Sequence, residues 1–284
     1  MAIQRDGIDA RFTREILIHL RRADVESPAG TFGLQLAASL HAWATALHVV
    51  ALAPTTYASP EAGTLFAGEA DAQYHDALQN EPFWRAQLDA HGVSGEWKVT
   101  QGDATEALCH ASRWCDLVVI ERPQLDRNTP TGWGIVSRTV FGASAPVVVV
   151  PERATCASIG KHVVIAWNHS REAALAIRGA LPLLERAKCV NVLDGAANES
   201  PFGLRYLPAL DLPAWLTRHG ISATFQPFET GRESGAALLD AAHVLGADLI
   251  VMGAWGHSRI TELMLGGTTR HLLQHSDLPL LVAH

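Results

Sequence analysis

Along the chain, short continuous apolar runs alternate with longer stretches whose apolar positions return every three or four residues. Residues 16–20 (ILIHL) and 163–167 (VVIAW) are β-branched runs, each followed by a polar turn and an alanine-rich stretch of helical periodicity. Residues 47–52 (LHVVAL) and 189–193 (CVNVL) form a second matching pair, with the unbroken apolar character of parallel strands covered on both faces. Residues 96–120 match residues 223–252 as strand, glycine turn, amphipathic helix, Asp and buried strand; the second copy's helix is about three residues longer. Residues 145–151 (APVVVVP) match residues 278–284 (LPLLVAH), where a Pro marks the first residue of a strand and its missing N–H costs least.

The chain therefore contains one pattern twice. Strands alternating with helical segments predict right-handed βαβ crossovers and a parallel sheet. The expected fold is α/β: two tandem Rossmann-like domains of the adenine nucleotide alpha hydrolase type, each a mostly parallel five-stranded sheet with helices on both faces. The halves are expected at 1–152 and 160–284, joined by a linker at about 152–160. The segments between the second and third strands, 53–95 and 194–222, carry Pro, Gly and one or two helical pieces each and are read as cover for the sheet.

Candidate chemistry concentrates after the apolar strand at 248–252. There the sequence runs Gly253-Ala-Trp-Gly256-His257-Ser-Arg259 and on to Gly266-Gly267-Thr268-Thr269, then an apolar-periodic segment, RHLLQHS. Glycines let backbone amides approach an anion closely, and a helix N-terminus adds unpaired N–H groups and the positive end of its dipole. Thr268 or Thr269 can cap such a helix and touch a phosphate oxygen. In an open parallel sheet, ligands sit beyond the carboxyl ends of strands, where Gly253 lies. His257 and Arg259 add cations within the loop, Arg with bidentate geometry for phosphate.

The spacing Gly253-x2-Gly256-x9-Gly266, after an apolar strand and before a helix and a Pro-initiated strand, resembles the universal stress protein family, and VVIAWNHSREAALAIRGALPLL resembles that family's first strand and helix. The resemblance covers the chain as two copies and is strongest over 163–193 and 247–284. It implies an ATP-binding stress-response protein. The glycine loop (Gly253, Gly256, Gly266) would surround the phosphates, the residue ending the first strand (Asn168) would meet the nucleotide, and the second strand's backbone near Val192 would meet adenine, with Mg²⁺ between the phosphates. Two residues depart from the family's pattern. Asn168 stands where Asp is usual, and Gly267 where Ser or Thr is usual; Asn keeps an acceptor without the charge, Gly267 keeps its N–H, and Thr268 can substitute for the hydroxyl.

At the matching place the first half carries Glu121 instead of a glycine, has no Gly-x2-Gly, and ends its first strand in His19-Leu20-Arg21-Arg22. A carboxylate there repels phosphate, so this half is read as a degenerate copy that binds no ATP. The family resemblance implies that it pairs with the second half through the last strands, 147–150 against 280–283, as an intramolecular pseudo-dimer; homodimer formation remains open. The alternative reading is a scaffold or small-ligand binder that keeps the fold without the nucleotide.

Composition narrows the partners. With 284 residues, 48% hydrophobic and 18% charged, the chain is long enough for two cores. A net charge of -7 without a Lys/Arg cluster argues against nucleic acid. Four cysteines without a CxxC pair suit a reducing compartment. No apolar stretch reaches the roughly 18 residues of a membrane span, and the first residues lack a signal-peptide core; the expectation is a cytoplasmic protein away from membranes. No Gly-x4-Gly-Lys-Ser/Thr and no Gly-x-Ser-x-Gly occurs. No general base is placed for catalysis, so at most a weak ATPase is expected. His271 and His275 share a helix face but lack a partner to complete a metal site, and Trp255 is the one Trp placed to touch a loop ligand.

Overall fold

The computed structural model of the chain describes residues 14–52, 60–123, 134–154, 159–195, 210–228, 234–254 and 267–284. In the first half, β1 (Glu15–Leu20) leads through α1 (Pro28–Leu40) to β2 (Trp43–Ala51). Two helices, α2 (Pro60–Leu78) and α3 (Glu81–His91), precede β3 (Gly95–Gly102). Then come α4 (Ala104–Ala111), β4 (Leu117–Arg122), α5 (Ile135–Gly142) and β5 (Val147–Pro151). The second half repeats the plan with β6 (His162–Trp167), α6 (Arg171–Leu184), β7 (Cys189–Asp194), α7 (Leu212–Arg218), β8 (Ala223–Pro227), α8 (Ser234–Val244), β9 (Leu249–Gly253), α9 (Gly267–His275) and β10 (Leu280–Ala283).

The strands form one ten-stranded sheet in the order β3-β2-β1-β4-β5-β10-β9-β6-β7-β8. All neighbours are parallel except β5 and β10, which run antiparallel with Val148 opposite Leu281. Each half is thus five parallel strands, and the antiparallel step makes the sheet continuous across them. That step also puts the carboxyl edge of the first half's strands on the same side of the sheet as the amino edge of the second half's.

The strands β4, β5, β9 and β10, apolar but for Glu121 and Arg122 at the end of β4, lie in the middle, covered on both faces. One face packs under α1, α3, α6 and α7 and the other under α4, α5, α8 and α9, and each of these two core clusters contains residues of both halves. The halves also touch outside the ladder: a Cβ on Gly179 of α6 would lie 2.3 Å from Cγ of Pro146, so that helix rests directly on the first half. Helix starts are capped by side chains that accept orphan amides: Ser27 from Gly30, Asp103 from Glu106, Ser170 from Ala173 and Asp211 from Ala214. Each such cap contributes about 1 kcal/mol.

Four element starts differ from the sequence reading. β2 begins at Trp43 rather than at 47, because α1 stops at Leu40 on His41, which takes the left-handed conformation (φ 51) usually given to Gly. The prolines 146 and 279 stand one residue before β5 and β10, where their carbonyls accept from Val118 and Ile250. α9 starts at Gly267, so Thr268 and Thr269 lie inside its first turn instead of capping it.

Candidate nucleotide site

Within the second half, β6 has β7 on one side and β9 on the other, and the chain leaves β6 toward β7. The switch point, where adjacent connections depart in opposite directions, lies between the carboxyl ends of β6 and β9. Gly253 ends β9, opposite Ala283 of β10. A Cβ at this position would sit 2.4 Å from the amide nitrogen of Ala173 and 2.6 Å from the carbonyl carbon of Glu172, in the first turn of α6. Only glycine allows that approach of strand end to helix start. The next residue, Ala254, is fully buried and donates its N–H to the carbonyl of Ala283 (2.8 Å).

On the β6 side, Asn168 follows the strand half-buried, and its Oδ1 accepts from the N–H of Ser170 at 3.3 Å, which shapes the turn into the cap of α6. His169 has φ 59, a strained conformation for a non-glycine residue. Its ring lies 5.1 Å from that of Trp167, centroid to centroid, and its Nε2 is 3.1 Å from Oδ1 of Asp194 at the end of β7. Asp194 is paired with Trp167 in the ladder, so this half-exposed carboxylate stands beside Asn168 at the same edge. His169 and Asp194 were not singled out from the sequence. The available signal was the polar cluster WNHS after one strand and Asp after its neighbour, but their meeting depends on strand register.

Across the gap, Gly267 is exposed at the start of α9, with open space where a Cβ would project. The Thr268 hydroxyl is hydrogen-bonded to that of Ser234 on α8, and Thr269 is buried. Val192 is fully buried in β7 between Ile165 and Phe225, two positions inside the edge that Asp194 reaches. Gly256, His257, Arg259 and Gly266, and with them Trp255, lie outside the described residues. Among the described residues, no group of three or more His, Cys, Asp or Glu is arranged to hold a metal ion.

The first half differs at each equivalent point. Glu121 is paired with Val150 as Gly253 is paired with Ala283, and its buried carboxylate meets Arg21, the counterpart of Asn168, at 3.1 Å. This edge is therefore closed by its own ion pair. Below it, His19 is buried; desolvation, reinforced by His48 and then Arg21, lowers its pKa from 6.5 to about 4. His48 shares a hydrogen bond with the carbonyl of Leu20 (2.8 Å) and stacks on Trp97.

Two copies of a five-stranded parallel sheet, with order 3-2-1-4-5 in the first, define a tandem Rossmann-like α/β protein. Residues 160–284 match the model of the universal stress protein family. Among solved structures, a universal stress protein from Archaeoglobus fulgidus DSM 4304 is 15% identical with TM-score 0.69, the match covering 95% of this chain and 97% of that one. A functionally unknown protein from Pseudomonas aeruginosa PAO1 is also 15% identical, with TM-score 0.58 over 95% of this chain and 92% of that one. A universal stress protein family protein from Arabidopsis thaliana, with AMP bound, is 19% identical over 50% of this chain and 93% of that one, with TM-score 0.35. No curated protein matches the sequence. No helix among the described residues is long and apolar enough to cross a membrane.

Proposed function

We propose that this chain is a cytoplasmic stress-response protein whose second half, residues 160–284, binds ATP between the carboxyl ends of β6 and β9, while the first half, residues 1–152, binds none. The observation that carries this reading is Gly253, where the strand end passes so close to the first turn of α6 that no Cβ fits. The sequence between Gly253 and α9 carries the other glycines of the loop. Phosphates would lie on the β9 side, met by loop amides and by first-turn N–H groups of α9 such as that of Gly267. Gly256, His257, Arg259 and Gly266 belong to that loop. The nucleoside would lie toward β6 and β7, where Asn168 offers an amide and Asp194 a carboxylate for donors on the base or ribose. Val192 would contribute through the β7 backbone to adenine. Mg²⁺, which retains waters and binds readily through phosphate oxygens, would be held by the nucleotide. With no general base placed on an attacking water, hydrolysis would be slow.

The first half takes the role of a fixed partner, the two halves forming an intramolecular pseudo-dimer along β5 and β10, with a homodimer as a further assembly. A scaffold or small-ligand reading has one observation in its favour: the packing of α6 explains Gly253 whether or not a ligand is present. The readings separate on titration of the purified, nucleotide-stripped chain with ATP and Mg²⁺. Under the ATP reading, Gly256→Val abolishes binding and Glu121→Ala leaves it unchanged. No binding at millimolar ATP would leave the scaffold reading, and equal losses in the two variants would overturn the assignment of halves.

A further inference from the structure

Arg122 is the last residue of β4, one position beyond Glu121, and therefore belongs to the carboxyl edge of the half that lacks the glycine loop. Because β5 and β10 are antiparallel, that edge faces the place where α9 descends into β10. The half-buried guanidinium spans the junction. Its Nη1 donates to the carbonyls of Leu273 (3.1 Å) and Leu272 (3.5 Å), and Nη2 to that of Ser276 (2.5 Å). These carbonyls belong to the last turn of α9 and the residue beyond it, where helix acceptors are left over and a cation complements the dipole. Asp277 stands close enough to favour the charge, against the burial that lowers the arginine's pKa. His275, next to this cluster, is held below the ordinary histidine pKa by its own burial, then by His271 and by Arg122.

The reciprocal contact is of another kind. The position matching Arg122 in the second half is Ala254, which has no side chain to reach out. The last turn of α5 is met instead by the chain end, where Phe141 and His284 pack edge to face with ring centroids 4.8 Å apart. The first half thus holds the second half's helix by polar capping, whereas the contact described in the other direction is one of packed rings.

We infer that Arg122 is a positioning residue by which the first half sets the orientation of α9, and so the placement of the helix N-terminus at the phosphate end of the candidate site. The nucleotide part of this inference rests on the ATP reading; the control of α9 by Arg122 stands apart from it. α9 is a short, nine-residue helix. Its last turn is tied by the arginine, and its first turn is tied to α8 through Thr268 and Ser234 and by the close approach of Gly235 to His271. Loss of the arginine leaves the carbonyls of Leu273 and Ser276 to find other donors, while that of Leu272 still accepts from the N–H of Ser276 (3.0 Å), and so loosens one end of the helix.

Two readouts on the full-length chain test this. Arg122→Met and Arg122→Lys are compared with wild type by titration with ATP and Mg²⁺ and, separately, with adenosine, which has no phosphates. Arg122→Met should weaken ATP by about tenfold and adenosine by less than about twofold, with Arg122→Lys between, a size usual for coupling between sites. A purely stabilising role would lower the melting temperature without favouring one ligand over the other. In parallel, amide hydrogen exchange of ligand-free protein should speed up in the first turn of α9 in Arg122→Met. ATP affinity unchanged in a protein that binds ATP, or equal losses for ATP and adenosine, would overturn the inference. If wild type binds no ATP, that outcome counts against the nucleotide reading. Exchange then decides alone, and unchanged protection at residues 268–271 would overturn the role of Arg122.

Discussion

Replacing Gly253 with Ala isolates what that glycine does. The added Cβ would stand 2.4 Å from the amide nitrogen of Ala173, against an ordinary contact distance of about 3.5 Å. Something must move by about 1 Å, and the neighbours are the main chain of Glu172 and Ala173, which no rotamer change can clear. Shifting the helix start also strains the Ser170 cap and the turn that Asn168 braces. Overpacking of this kind costs about 1–3 kcal/mol, and backbone against backbone puts Gly253 near the upper end. For a chain of this size each kcal/mol moves the melting temperature by roughly 2–4 °C, so a fall of about 6–10 °C is expected in nucleotide-free buffer. Thermal unfolding followed by circular dichroism, with urea unfolding as a second measure, reads this directly. A Gly253→Ala protein melting within about 1 °C of wild type would refute the packing argument. If such a protein had also lost ATP, the glycine would be serving the ligand alone.

Two further outcomes follow from titrating groups. His19 is buried neutral with its pKa lowered to about 4, so below pH 6.5 the unfolded chain takes up a proton that the native one refuses. Stability is then unaffected by this group above about pH 6.5 and falls as the pH drops from there to 4, by about 3 kcal/mol in all. Urea midpoints across that range should show His19→Leu with a flatter pH dependence than wild type, and identical slopes would contradict the assignment. Burial pushes the Cys115 thiol up to about 12 and raises that of Cys109, whereas Cys189 is exposed. Brief alkylation at pH 8 with peptide mapping should label Cys189 well ahead of Cys115 and Cys109; equal labelling of native protein would count against their burial.

The repeat was legible because a strand covered on both faces is apolar at nearly every position, and four such runs recur in order. The equivalence of Glu121 and Gly253 was legible too, and strand register confirms it. The start of β2 was not. His41 does the work of a C-terminal glycine without being one, and the alanine-rich run after it continues the composition of the helix before. The side-chain pairs at the sheet edges were also out of reach. Arg21 meets Glu121 across a sequence separation of 100 residues, and Arg122 reaches Ser276 across 154. No local pattern encodes such partners; they follow from strand order and from the antiparallel step at β5 and β10. His169 and Asp194 lie between these cases, since each is polar at a strand end but only register brings them together.

The difference between the halves comes down to what stands at two equivalent strand ends. In the second half, these two strand ends carry the uncharged Asn168 and the side-chain-free Gly253, and the chain runs close to α6. In the first half, Arg21 and Glu121 occupy the same two places and satisfy each other. A buried carboxylate there needs a cation, and Arg21 provides it, so changing one of the pair alone leaves a charge uncompensated. Such a pair is hard to undo in single steps, which would keep this edge closed. The residue after it, Arg122, turns to the neighbouring half's helix. On this reasoning, loss of the glycine loop in one copy and gain of a tie between copies are two aspects of one arrangement. Removing Glu121 together with Arg21 would free the edge without creating a phosphate site, because the sequence that follows it, residues 122–134, has no Gly-x2-Gly to line it.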